Sequence, residues 1–172
     1  VEIADAGNDH YDPEDRKVRL SPENYGGKSL TAVVVAAHEV GHALQHKLEY
    51  PPLYLRWRLA KLIRVSEKTA SILLIAFPFM TALTRMPAVG AAMFIAGIAV
   101  LLLPVILHLV TLPVEWDASF RRALPVLVAG RYIPESAVPI ARRILTAAAL
   151  TYVAASLASL LNFYRWVVFL RR

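Results

Sequence analysis

The sequence predicts a mainly α-helical, polytopic membrane protein with one metal-binding helix and a small N-terminal β-hairpin. Three observations carry this expectation. The chain has 172 residues, 57% of them hydrophobic, with a mean hydropathy of +0.48, which is high for a soluble globular protein. Two runs approach bilayer length: Ala88 to Leu112 has 25 residues and Ile144 to Leu161 has 18, neither containing Asp, Glu, Lys or Arg. At about 1.5 Å per residue, the first covers a hydrocarbon core of roughly 30 Å. Finally, His38-Glu39-Val40-Gly41-His42 lies in a stretch from Ser29 to Gln45 that is otherwise free of charge.

The elements follow in order. Asp9 to Asp12 and Lys17 to Ser21 flank Pro13-Glu14-Asp15, the pattern of two short strands joined by a turn. Lys17 to Ser21 is a possible edge for an extended substrate. Ser21-Pro22 offers a cap with proline at the first helical position. Gly26-Gly27 breaks that turn, and Ser29 can cap the metal-binding helix. Pro51-Pro52 is expected to end it. Leu53 to Lys68 reads as a second helix carrying Arg56, Arg58, Lys61, Arg64 and Lys68 ahead of an apolar run of 15 residues from Thr69 to Leu83. Such basic residues beside a candidate span suit a membrane surface. Gly130 to Ser136 reads as a turn and a new helix start. After Leu161 come Phe163, Tyr164 and Trp166, residues suited to a membrane interface. The expected organisation is a single domain over 1–172: hairpin and metal-binding helices over 1–68, a transmembrane hairpin over 69–112, a third-ligand region over 113–140 and a C-terminal transmembrane helix over 141–172.

Composition excludes several classes. The net charge is +6, but the arginines flank apolar runs, which is the membrane pattern and not a nucleic-acid surface. With no cysteine, disulfides and thiolate ligands are ruled out, and any zinc must be held by His and carboxylate. The start at Val1 reads as a fragment or processed form.

On an α-helix, residues four apart share a face, so His38 and His42 can reach one Zn²⁺ while Glu39 serves as general base on zinc-bound water. Without a metal, the apolar neighbours Ala36, Ala37, Val40, Ala43 and Leu44 would bury two imidazoles and a carboxylate with nothing to satisfy them, at considerable cost. A catalytic zinc needs a third protein ligand. His46 sits about 80° around the helix from His38 and points past the metal. The positions at which a longer histidine motif continues hold Gln45 and Leu48. A carboxylate is therefore expected, and Glu115 and Asp117 are the candidates. They are about 200° apart on a helix beginning near Pro113, so only one can face the metal.

Asp9-His10-Tyr11-Asp12-Pro13, Val18-Arg19-Leu20-Ser21, Ala36 to Ala43, Leu112 to Ser119 and Ala148 to Ala155 together resemble the YugP-type neutral zinc metallopeptidases, bacterial membrane proteins distantly similar to the HtpX-like proteases. The resemblance covers essentially the whole chain. It implies a zincin-like fold, a zinc cofactor, a protein or peptide substrate and the bacterial cytoplasmic membrane. Family members carry a further N-terminal membrane segment, and usually Phe where Trp116 stands here. In HtpX-like proteins the third ligand is a Glu in an E-x-x-A-D pattern. Glu115-Trp116-Asp117-Ala118-Ser119 fits with Ser119 in the last place, which favours Glu115, a gluzincin-like set. Asp117 or Ser119 would then support a ligating histidine from behind.

The two-run hairpin lies between His38 and Glu115 in sequence. For both to reach one zinc, the number of crossings between them must be even, so Thr69 to Leu83 is expected to cross together with Ala88 to Leu112. The side so defined carries the five basic residues before Thr69 and Arg121, Arg122, Arg131, Arg142 and Arg143. The other carries Arg85, Arg165, Arg171 and Arg172. The positive-inside rule then places the active site toward the cytoplasm. The expected reaction is hydrolysis of peptide bonds in membrane or membrane-proximal proteins, with oxyanion help from Arg121, Arg122, Tyr132 or His10. Two other classes compete. A scaffold or chaperone-like protein with a non-catalytic zinc would have no use for Glu39. A transporter would need an intramembrane ionisable pair, and His108 is the only His, Asp, Glu, Lys or Arg in the spans.

Overall fold

The computed structural model describes residues 1–170, which form two compact units. The first contains Val1–Tyr54 and Thr111–Val153; the second contains Leu55–Val110 and the chain from Ala154 onward. Of the residues read from sequence, Arg171 and Arg172 lie outside the described residues, as do the side chains of Lys68, Phe163, Arg165 and Trp166.

The first unit opens with a three-stranded sheet of β1 (Glu2–Ile3), β2 (His10–Asp12) and β3 (Lys17–Leu20), in the order β1-β3-β2. The expected hairpin forms, with Tyr11 opposite Val18 in antiparallel register. Asp12 organises the turn by accepting from the backbone N–H of Glu14 at 2.8 Å and of Asp15 at 3.1 Å, and Arg19 bridges Asp12 and Asp15. The expectation that Lys17 to Ser21 forms an edge is corrected. The two residues of β1 pair in parallel with β3, which makes β3 central and leaves β1 and β2 as the edges. β1 is too short to announce itself by alternation.

Ser21 precedes α1 (Pro22–Tyr25), but its hydroxyl makes no cap. It donates instead to Asp9 at 3.0 Å, while Asn24 donates to the other oxygen of the same carboxylate at 2.7 Å. Ser29 does cap α2 (Leu30–Lys47), accepting from the N–H of Ala32 at 3.1 Å. The prolines do not end this helix. α2 stops at Lys47, Glu49 takes the left-handed conformation (φ 52°), and the N–H of Tyr50 closes on the carbonyl of Gln45 at 3.0 Å. Pro51 and Pro52 open the next helix, where a missing N–H costs nothing.

The core of this unit lies on one flank of α2. Val34 and Ala37 pack with Ala123, Leu124, Leu127, Ile133, Ala141 and Leu145. Each fully buried leucine contributes about 1.5–3 kcal/mol relative to exposure. These partners come from a π-helical segment (Asp117–Ala123), α5 (Leu124–Ala129), the connection that follows it (Ile133) and the start of α6 (Val138–Leu170). A 3₁₀ turn at Glu135–Ala137 leads into α6, as the Gly130 to Ser136 stretch predicts.

In the second unit, α3 (Pro51–Thr84) and α4 (Pro87–Trp116) continue from the first and meet at the Arg85-Met86 break. A side chain at Gly90 would collide with Thr81, and the rings of Phe77 and Phe94 lie 5.3 Å apart, so the two helices fold back as a hairpin. α4 runs through Pro104 and Pro113 without restarting, which corrects the expected helix start near Pro113. Two helical stretches, Pro87–Ala129 and Glu135–Leu161, are long and apolar enough to cross a membrane by length and composition; Ile75–Thr84 is shorter.

Candidate metal centre

All five residues of His38-Glu39-Val40-Gly41-His42 lie inside α2. His38, Glu39 and His42 are buried. Facing them is the end of α4 and the π segment that continues it. Gly41 permits this approach: a β-carbon there would stand 2.5 Å from the carbonyl oxygen of Ala118. Any larger residue would push the facing backbone away.

Across this contact, Glu115 (1% exposed) turns its carboxylate to both imidazoles. Its Oε2 lies 3.0 Å from His38 Nε2 and 3.4 Å from His42 Nε2. One ligand atom from each of the three residues falls within 4.8 Å of the others, so the trio could hold a metal ion. The chemistry of the donors fits zinc. Gln45 Nε2 donates to the carbonyl of Val114 at 2.7 Å and to Asp117 Oδ2 at 2.9 Å. Both are acceptors, which fixes the amide orientation. Gln45 Oε1 therefore faces His42 Nδ1, 2.9 Å away, and an amide oxygen can only accept. An imidazole N–H on Nδ1 is what that oxygen calls for, and in the neutral ring this leaves the Nε2 lone pair facing the Glu115 carboxylate, an arrangement that suits a metal cation between them.

His38 is oriented in a related way, its Nδ1 lying 3.1 Å from the hydroxyl of Ser119. Asp117 is in turn held by Arg122, whose Nε donates at 2.7 Å, and the guanidinium stacks over Tyr50 at 5.6 Å. The wider i→i+5 turn of the π segment lets Asp117, Ala118 and Ser119 be buried in succession. Asp117 thus meets α2 as Glu115 does, but at Gln45 and not among the ligands.

Glu39 follows His38 on the adjacent strip of α2. Burial pushes its carboxyl above the ordinary range, Glu115 and Asp9 act in the same direction, and the two histidines oppose them. His46 stands apart from the trio, its Nδ1 within 2.8 Å of the Tyr11 hydroxyl. Of the remaining candidates, Arg121 and Tyr132 are exposed, with the Tyr132 ring against Gly130. His10 is half-buried on β2, its Nδ1 3.1 Å from the carbonyl of Asn8.

Gln45 was not among the residues singled out by motif. Its signal was available: it is an uncharged polar residue one turn after His42 in an apolar helix, and it is 0% exposed.

Two histidines from one helix and a glutamate from another make a donor set that suits zinc, with a second glutamate beside them. The chain belongs to the family described as "Putative neutral zinc metallopeptidase", which it matches over residues 1–171. It is 39% identical over 160 residues to the "Putative membrane protease YugP" of Bacillus subtilis (strain 168), an alignment covering 93% of this chain and 67% of that protein. No solved structure matches.

Proposed function

We propose that this chain is a zinc-dependent endopeptidase acting on membrane or membrane-proximal proteins. The observation that carries the reading is the convergence of His38 Nε2, His42 Nε2 and Glu115 Oε2 with Nδ1 of each imidazole already engaged. These three would hold the metal. When bound, zinc supplies Lewis-acid polarisation of the scissile carbonyl and makes water acidic enough to give up a proton near neutral pH. Glu39 takes that proton from the attacking water and delivers it to the leaving amine. Gln45, backed by Asp117 and Arg122, keeps His42 in the tautomer that presents Nε2, and Ser119 orients the His38 ring through Nδ1. Arg122 is committed behind His42. Of the elements that carry the oxyanion candidates, both β2, with His10, and the π segment, with Arg121 and Arg122, pack against α2.

The membrane reading is part of this proposal: α3 and α4 cross as a pair, α6 crosses again, and the zinc centre faces the cytoplasm of a bacterial inner membrane. Its support is the charge distribution and the two long apolar helices.

The test is Glu39→Gln. All three ligands remain, so the purified variant should keep zinc, while peptide cleavage should fall to background because the water has lost its base. Cleavage at the parental rate would overturn the proposal.

A further inference from the structure

A cavity of about 400 Å³ opens on the first unit, lined by Tyr11, His46 and Tyr54 and by the exposed Arg16, Lys47 and Glu49. Its placement relative to the metal centre follows from α2. Ala43, which also lines it, lies four residues after Glu39, and His46 seven. Glu39, Ala43 and His46 therefore share one strip of the helix. Along the axis the cavity begins about 6 Å beyond Glu39 and reaches about 10 Å. An extended peptide advances roughly 3.3 Å per residue, so a substrate running along this strip from a scissile bond at Glu39 would bring a residue two or three positions away to the cavity.

The walls are orienting. The Tyr11 hydroxyl lies 2.8 Å from His46 Nδ1, and both tyrosine rings stand edge-on to that imidazole at 5.8 Å. Burial pushes the Tyr11 phenol up, while the charge of Arg16, on the same cavity wall, opposes it. Of the three carboxylates nearest Arg16 in sequence, Asp12 and Asp15 are taken by Arg19. Among the described residues neither Arg16 nor Lys47 has an ion-pair partner, Glu49 included. Arg16 and Glu49 hold left-handed backbone (φ 54° and 52°), where glycine is the ordinary residue. Each thus keeps a charged side chain at the mouth despite a backbone cost.

We propose that this cavity is a substrate subsite for a carboxylate, held by Arg16 and Lys47, and that Glu49 at the same mouth limits how strongly it binds. The carboxylate belongs to an acidic side chain or to the substrate's own C-terminus. This rests on the peptidase reading above.

Left-handed positions make clean variants: Arg16→Gly and Glu49→Gly remove the side chain while relieving the backbone. Amidated fluorogenic peptides that differ only in Glu, Gln or Lys are scanned through the positions flanking the cleaved bond, with free-acid versions alongside. The parent should prefer Glu over Gln at one position two or three residues from the bond. Arg16→Gly and Lys47→Met should each reduce that preference about three- to fivefold, the scale of a partly exposed ion pair, with cleavage of the Gln peptide unchanged. Arg16→Lys should restore most of it, and Glu49→Gly should raise it. A preference confined to free-acid peptides, with the same sensitivity, assigns the site to the chain terminus. No preference, or a preference for Lys abolished by Glu49→Gly, overturns the proposal. Anisotropy of labelled Glu and Gln peptides on Glu39→Gln reads the cavity without catalysis, so a failure of hydrolysis and a failure of the subsite are told apart.

Discussion

Two stretches of this chain nearly free of charge take opposite routes. α2, from Leu30 to Lys47, buries its polar residues: His38, Glu39, His42 and Gln45 are all inside. The Ala88 to Leu112 stretch of α4 leaves large apolar residues outside. Ile95 is 66% exposed and Leu109 61%, and only 6% of the most apolar window of that helical stretch is buried. In water each arrangement is unfavourable. The first is resolved by giving buried polar groups partners, and the His38, His42 and Glu115 trio could hold a cation. On the membrane reading proposed above, the second would be resolved by a solvent of hydrocarbon. Apolar composition alone therefore does not say where a helix goes; the polar residues within it do.

That contrast can be broken most directly at the ligands. Glu115→Ala should lose zinc or bind it far more weakly, measured as metal content of the purified protein, whereas Asp117→Ala should retain it. The reverse result would move the third ligand to Asp117 and undo the account of α2. The apolar side of the comparison is tested in the cysteine-free background. Single cysteines at Thr84 and Glu135 should be labelled from opposite faces of intact vesicles. Labelling of both from one face would mean that Ala88 to Leu112 does not span. The smallest effect is expected at Gln45. Gln45→Ala leaves all ligands in place but frees the His42 tautomer, and zinc affinity in a chelator competition should fall by about 10–100-fold. An unchanged affinity would reduce Gln45 to a packing residue.

Much of the centre was legible in the sequence. The spacing of His38 and His42 fixes them on one helical face, Ser29 marks where that helix starts, and the β2–β3 hairpin follows from short strands around Pro13-Glu14-Asp15. The remainder was hidden for physical reasons. Ideal helix geometry sets Asp117 about 200° from Glu115, but the π turn widens the helix where it meets α2 and both are buried. Pro51-Pro52 is compatible with the end of one helix or the start of another, and the left-handed Glu49 decided for the start. β1 has two residues, too few for a periodic signal. Gln45 stood in the sequence as the place where a longer histidine motif stops; only the structure shows its amide gripping His42 from behind.

The separation of His38 and Glu115 along the chain is 77 residues, and the whole apolar hairpin lies within that interval. A metal held at both ends is a staple closing a loop of that size. The chain has no cysteine to do this covalently. By the chain-entropy relation for cross-links, a closure of that length removes about 4.5 kcal/mol of disorder from the unfolded state, a large share of a domain's typical net stability of roughly 5–15 kcal/mol. An ion held by His38, His42 and Glu115 would then also clasp the chain on either side of its apolar hairpin.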